Sequence, residues 1–222
     1  MTAQTGNENV APHLLSVNIG PAQPLAHGKT TVHSGIVKTP VAGSLRLGAS
    51  GFGGDEQADP VNHGGPDKAA CVYPAEHLAY WATRLERPMS AAAFGENFTV
   101  SGWTEGAAVI GAVYRVGTAT VQVSQPRGPC FKLAALHGVP QLAVWVRETG
   151  LSGFYLRCLE AGELSAGDEF ELLTSPDHSL TVTDANRAKY GELDAALIGR
   201  LTQLPELADS WRADLERRVV LP

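Results

Sequence analysis

The stretch richest in chemistry is Val121 to Leu133, VQVSQPRGPCFKL, where one thiol, Cys130, lies between two cations, Arg127 and Lys132. Neighbouring positive charge favours the thiolate, which is the form that attacks electrophiles and binds metals. The first half alternates as a strand does, with Val121 and Val123 on one face and Gln122 and Ser124 on the other. Pro126 should stop the ladder, having no N–H to donate, and Gly128-Pro129 should turn the chain. Cys130 is therefore expected on a loop just past a strand end. The competing reading is a small buried hydrophobe, the ordinary state of a free cysteine.

Three further constellations could serve a ligand. Gly53-Gly54-Asp55-Glu56-Gln57-Ala58-Asp59 precedes His63-Gly64-Gly65-Pro66-Asp67-Lys68. Glycine pairs such as Gly64-Gly65 let backbone approach a ligand closely and expose N–H groups as an anion nest. His63 and Lys68 add donors suited to phosphate or an anionic ring. The spacing matches neither the phosphate-loop nor the dinucleotide fingerprint, and tight turns with solvated charges would look the same. In Phe94-Gly95-Glu96-Asn97-Phe98, Glu96 and Asn97 could bind a ring amide or cap the turn. In Phe154-Tyr155-Leu156-Arg157-Cys158, strand alternation puts Tyr155 and Arg157 on one face, so Arg157 could face a pocket. Cys158 falls on the opposite face and reads as core, as does Cys71.

The elements that must position these residues are mostly short strands. Leu14–Ile19, Thr30–Val37, Leu45–Leu47, Asn97–Val100, Ala108–Val116, Ala119–Ser124, Gly153–Leu159 and Glu169–Leu173 are β-type runs divided by glycine or proline. Many short strands without helices between them predict a barrel or two packed sheets. Two helical inserts are expected, one opening at Pro74-Ala75-Glu76 and one over Pro140 to Thr149 with Gly150 as its stop. After Ser175-Pro176-Asp177 the pattern turns helical. Thr183 is expected as an N-cap, and Leu193, Leu197, Leu201 and Leu204, then Leu207, Trp211 and Leu215, recur at helical spacing. The expected class is mainly β: a β-barrel-like domain over 14–174 with helical inserts, after a polar tail at 1–13. A small three-helix appendage over 175–222 docks against it, where it could meet a second copy in a homodimer. Arg212, Arg217 and Arg218 read as a solvated helix face before a partner patch.

Composition removes several classes. A net charge of −6 argues against a duplex-binding surface, so no nucleic-acid partner is expected. No apolar run approaches ~18 residues, so no membrane span is expected. The first twelve residues lack a basic and an apolar region and do not read as a signal peptide. Three scattered cysteines suit free thiols in the cytoplasm, cannot supply the four ligands of an ordinary iron–sulfur cluster, and imply that any electrons come from outside.

Taken in order, GDEQAD, HGGPDKA, YPAEH, FGEN, VSQPRGPCFKL and GFYLR…AGD resemble the MOSC-domain proteins across about residues 15 to 173. More narrowly they are similar to the bacterial branch linked to resistance against N-hydroxylaminopurine, which carries a comparable three-helix tail. The resemblance implies a domain that binds the molybdenum cofactor, a molybdopterin dithiolene with a phosphate, and makes Cys130 the ligand to the metal. Soft thiolates suit such a metal. It also implies His63, Gly64, Gly65, Lys68, Asn97, Ser124, Arg127, Lys132 and Arg157 as candidates for the pterin and phosphate. The implied activity is a detoxifying two-electron reduction of N-hydroxylated bases, amidoximes and hydroxylamines, with an external reductase as electron donor. Neither a ferredoxin-like cysteine set nor a pyridoxal-phosphate domain accompanies these motifs, so sulfur donation is not supported.

Two alternatives stand beside it. One is a non-catalytic module that carries the cofactor or its sulfurated form. The other is a metal-free hydrolase using Cys130 with His137 or His63 as base.

Overall fold

The computed structural model describes residues 11–59 and 64–220. The expectation for His63 lies outside the described residues.

Eight strands form the main sheet, all antiparallel to their neighbours except one pair. In chain order they are β1 (His13–Ile19), β4 (Thr39–Pro40), β7 (Ala70–Pro74), β8 (Phe98–Ser101), β9 (Val113–Val116), β10 (Ala119–Pro126), β11 (Phe154–Glu160) and β13 (Phe170–Thr174). Their spatial order is β13-β9-β10-β11-β7-β8-β1-β4. Five more strands lie outside it. β2 (Gln23–His27) and β3 (Thr30–Ser34) make a hairpin, and β5 (Leu45–Gly48), β6 (Gly51–Phe52) and β12 (Gly162–Leu164) make a three-stranded flank. The main sheet curls until its far sides meet. Leu14 donates its N–H to the Asp168 carbonyl at 2.9 Å, and Phe170 donates to Pro12 at 2.8 Å. Curling satisfies edge groups that would otherwise template another strand, and it produces the barrel-like shape.

The barrel interior is aromatic. Trp103 sits 5.0 Å from Phe154 and 4.9 Å from Phe170, ring centre to ring centre. Burying each phenylalanine side chain contributes about 1.5–3 kcal/mol. A second cluster lies under the helical inserts α1 (Glu76–Arg84), α2 (Phe131–His137) and α3 (Leu142–Thr149), built on Tyr73, Trp81, Phe94, Leu133 and Leu142. In it, Phe94 stacks on Tyr73 at 4.2 Å with the rings nearly parallel.

The carboxy-terminal helices α4 (Val182–Tyr190), α5 (Ala195–Thr202) and α6 (Asp209–Val220) bury Val182, Ala185, Leu197, Leu201 and Trp211 in the same core as the barrel. Three short helices lack core enough of their own. Two of the arginines read as a solvated face tie helix ends together instead. Arg212 donates to the carbonyls of Leu204 and Leu207 at 2.9 and 2.8 Å, and Arg218 donates to Ala188 at 2.6 Å. Lone carbonyls at helix ends are natural partners for such cations.

Other differences have local causes. The N-cap of α4 is Thr181, not Thr183, because Thr181 and Asp184 close a reciprocal capping box. Ala108–Ala112 runs as a loop before β9, whereas β7, all five residues buried, was not foreseen. Pro126 lies inside β10 as its last residue, opposite Phe154 after a bulge. Phe131–His137 is a helix that follows the Cys130 loop directly. Among the described residues, no helix is long and apolar enough to cross a membrane.

Candidate functional site

β10 ends at Pro126, and the next residues cross one end of the barrel before α2 begins. Cys130 is the residue that enters α2, in extended conformation with φ −126° and ψ 166°, and its side chain makes no capping bond. It is half-buried in a cleft of about 620 Å³, counting the part open to solvent. The opposite wall comes from the Ser34–Lys38 and Asp55–Ala58 loops, and the floor from Cys71, Gly95, Asn97 and Tyr155. Gly95 has φ 70°, and a Cβ there would lie 2.5 Å from Ile36 Cγ1, so this wall requires glycine.

Four cations line the cleft: Arg127, Lys132, Lys68 and Lys38. Arg127, 8 % exposed, donates to the Phe94 carbonyl at 2.5 Å, while its backbone N–H bonds Gly153 at 3.0 Å. Burial works against its charge, but Cys71, Tyr155, Cys130 and Glu96 outweigh that and hold the guanidinium above its usual range. Lys132, also 8 % exposed, stands on the first turn of α2. Lys68 stands on the 3₁₀ turn Pro66–Lys68, and burial lowers its pKa against the opposing pull of Asp67. Cys71 is different in kind from Cys130. Burial pushes its thiol up to about 11, so it stays protonated at neutral pH and is a poor ligand or nucleophile.

Behind the cations is a polar frame. Asp55 pairs with Lys38 and also accepts from the Gly20 N–H at 3.0 Å and from Asn97 Nδ2 at 2.9 Å. Asn97 in turn accepts from the Cys71 N–H at 3.0 Å and donates to the Asn18 carbonyl at 3.2 Å. Glu96, fully buried, accepts from the N–H groups of Ala92 and Phe94 and from the Thr99 hydroxyl, at 2.8, 3.0 and 2.7 Å. These bonds shape the turn that presents Gly95 and Asn97 to the cleft. Burial raises the Glu96 pKa above the ordinary 4.5 despite those bonds. A raised carboxylate means that the native state keeps its proton where the unfolded chain has released it. The Glu96 contribution therefore falls as pH rises from about 4.5 through the native value. Glu96→Gln should remove that slope from the pH–stability curve. It should also cost about 1–3 kcal/mol at neutral pH, since the new NH₂ cannot accept the bonds it replaces. Urea titration at several pH values measures both.

Of the residues expected from sequence, Cys130, Lys68, Asn97, Arg127 and Lys132 line the cleft. Ser124 and Arg157 do not. The Ser124 hydroxyl lies between the Asp67 and Tyr155 carbonyls at 2.6 and 3.0 Å. Arg157 grips Asp67 at 2.6 Å and Gln122 at 2.9 Å. Both anchor the 3₁₀ turn that carries Lys68, one step behind the cleft. Gly64 and Gly65 precede that turn, Gly65 with φ 98°, and are outside the lining. Lys38, Asp55, Cys71 and Tyr155 were not foreseen as lining residues. His137 does not line the cleft: Nε2 bonds the Ala93 carbonyl at 2.7 Å and Nδ1 meets Arg87. With both ring nitrogens engaged there, it is not placed to act as a base for Cys130.

The MOSC-domain model matches residues 59–171, and a model described as the YiiM-like 3-alpha helix domain matches 180–219. The chain belongs to the MOSC-domain family. It is 46% identical over 206 residues to YflK of Bacillus subtilis, covering 92% of this chain and 93% of that one. To the protein YiiM of Escherichia coli it is 35% identical over 207 residues, covering 92% and 91%. The crystal structure of YiiM from Geobacillus stearothermophilus superposes with a TM-score of 0.80 at 38% identity, covering 94% of this chain and 99% of that one. A Gibberella moniliformis protein named "Reductase" is 31% identical over 181 residues, 78% of this chain but 32% of that longer protein. The MOSC match spans the segment from Asp59 into β13 that contains Cys130, Lys68, Arg127 and Lys132, and leaves Lys38 outside it.

Proposed function

We propose that the chain binds the molybdenum cofactor in the Cys130 cleft and reduces N-hydroxylated compounds to amines or amidines with electrons from an outside reductase. MOSC domains are associated with that cofactor, and the longer relative named "Reductase" favours turnover over mere carriage. The observation that carries the reading is one half-buried thiol in a cleft lined by buried Arg127 and Lys132 and by half-buried Lys68. Lys132 is 8 % exposed, and no carboxylate pairs with it among the described residues. Its stem is packed away while its ammonium has no carboxylate to pair with among those residues, so an anionic ligand in the cleft would supply a charge-assisted partner. A dithiolene bearing a phosphate is such an anion, and a thiolate suits its metal. The residues present fit the group.

Cys130 would hold the metal. Lys132, Arg127 and Lys68 would hold the anionic groups, with Arg127 kept in place by its bonds to Phe94 and Gly153. Asn97 fixes the Cys71 backbone and the Asp55 loop, so it shapes the cleft without spending its amide on the ligand. When bound, the cofactor supplies the two-electron couple, and the protein supplies binding, orientation and charge. The reaction balances as hydroxylamine plus two electrons and two protons giving amine plus water. The reducing cytoplasm would keep Cys71, Cys130 and Cys158, none of them in a disulfide among the described residues, in the thiol state.

Protein made in a cofactor-competent host should contain about one molybdenum and one pterin per chain, and should reduce a hydroxylamine with a chemical electron donor. Absence of molybdenum and pterin overturns the reading. Metal and pterin without reduction by any donor makes the chain a carrier.

A further inference from the structure

Phe131 directly follows the cleft thiol, and the residues on either side of it, Cys130 and Lys132, both line the cleft. Its own ring turns outward and is 47% exposed. It rests on His27, with ring centres 4.8 Å apart and planes tilted by 44°. His27 ends β2, one arm of the hairpin whose other arm runs through Ser34 into the opposite wall of the cleft. Neither ring is part of the cleft lining: Phe131 stands beside the rim, next in the chain to Cys130, and His27 meets it from the turn end of the hairpin, where it pairs with Thr30. Phe131 is not part of the apolar cluster below, which α2 enters through Leu133, with Ala135 and Leu136 packed beside it. A phenylalanine 47% exposed at the first position of a short helix gives up about half of its hydrophobic burial, and the ring contact it keeps is with an exposed histidine.

We propose that Phe131 and His27 form the platform against which the ring of a planar heteroaromatic N-hydroxy substrate stacks, and so set the preference of the site for aromatic over aliphatic substrates. The inference rests on the reading of the cleft given above. Bases stack on aromatic side chains whatever their hydrogen-bonding edge, so such a platform selects for a flat ring and tolerates its substituents. The ring would lie at the rim, with its N–OH group directed inward past Cys130. No proton or electron passes through either platform residue.

The test compares loaded wild type, Phe131→Ala and Phe131→Trp on an N-hydroxylated purine and on hydroxylamine itself. The ratio of the two kcat/KM values should fall on the order of tenfold in Phe131→Ala and return in Phe131→Trp. Calorimetric binding of adenine, which is flat and cannot be reduced, should weaken by a similar factor in Phe131→Ala, with molybdenum content unchanged. A constant ratio together with constant adenine affinity overturns the platform and leaves the reductase reading in place. Phe131-dependent adenine binding in protein that reduces neither substrate upholds the platform and defeats the reductase reading.

Discussion

Cys130→Ala is expected to lower the reduction of a hydroxylamine substrate by more than a hundredfold and to strip molybdenum from the purified protein. Changing a partner that merely orients a metal ligand typically costs 10–100-fold, and loss of a ligand exceeds that. The substitution isolates the chemistry because the side chain makes no capping bond to α2, and its extended backbone suits alanine. Stability should therefore stay within about 1 kcal/mol of the parent, as for ordinary substitutions outside the core. Cys71→Ala is the necessary control, since that thiol lines the same cleft. Its burial keeps it protonated, with a pKa of about 11, so its loss should leave metal content near the parent value. A fully active Cys130→Ala protein, or the opposite ranking of the two variants, would remove Cys130 from the metal.

What the sequence made legible was the punctuation. Proline and glycine after a strand placed Cys130 on a loop at a barrel end, and FGEN placed Gly95 and Asn97 at the turn that meets it. What it hid was long-range or short. β7 has no alternation to read because both of its faces are covered, so ACVYP resembles a helix lead-in as much as a strand. α2 spans seven residues and buries Lys132 and Leu133, too little for a helical period to show. The capping box of α4 is written in Thr181-Val182-Thr183-Asp184, but two threonines two residues apart offer the same cap chemistry, and only the reach of Asp184 back to Thr181 decides between them.

Among site residues the same division holds. Cations adjacent to the thiol in sequence could be read, whereas Lys38 and Asp55 meet from seventeen residues apart, with β4, β5 and β6 between them in the chain. Ser124 and Arg157 had the right strand and the right face. They are absorbed by Asp67, whose turn they hold, because a polar side chain near a strand end satisfies backbone before it meets a ligand.

The Lys38–Asp55 pair yields the largest stability effect expected. Its side chains are 7 % and 2 % exposed, and the same carboxylate also holds Gly20 and Asn97. Asp55→Asn would leave the Lys38 charge buried without its partner, and breaking a buried pair from one side costs about 3–5 kcal/mol. Urea unfolding should show that loss as a shift in midpoint with an unchanged slope. Adding Lys38→Met removes the stranded charge, so the double variant should recover much of the stability, with a coupling of about 0.5–3 kcal/mol between the two positions. Cofactor content distinguishes shape from charge. The pair is neutral as a whole, so removing both members leaves the net charge of the wall unchanged while restoring its stability. Molybdenum should then fall in Asp55→Asn and return in the double variant. If it stays low there, Lys38 itself contacts the anion. If Asp55→Asn costs under about 1 kcal/mol, in the range of solvated surface pairs, the pair does not hold the wall.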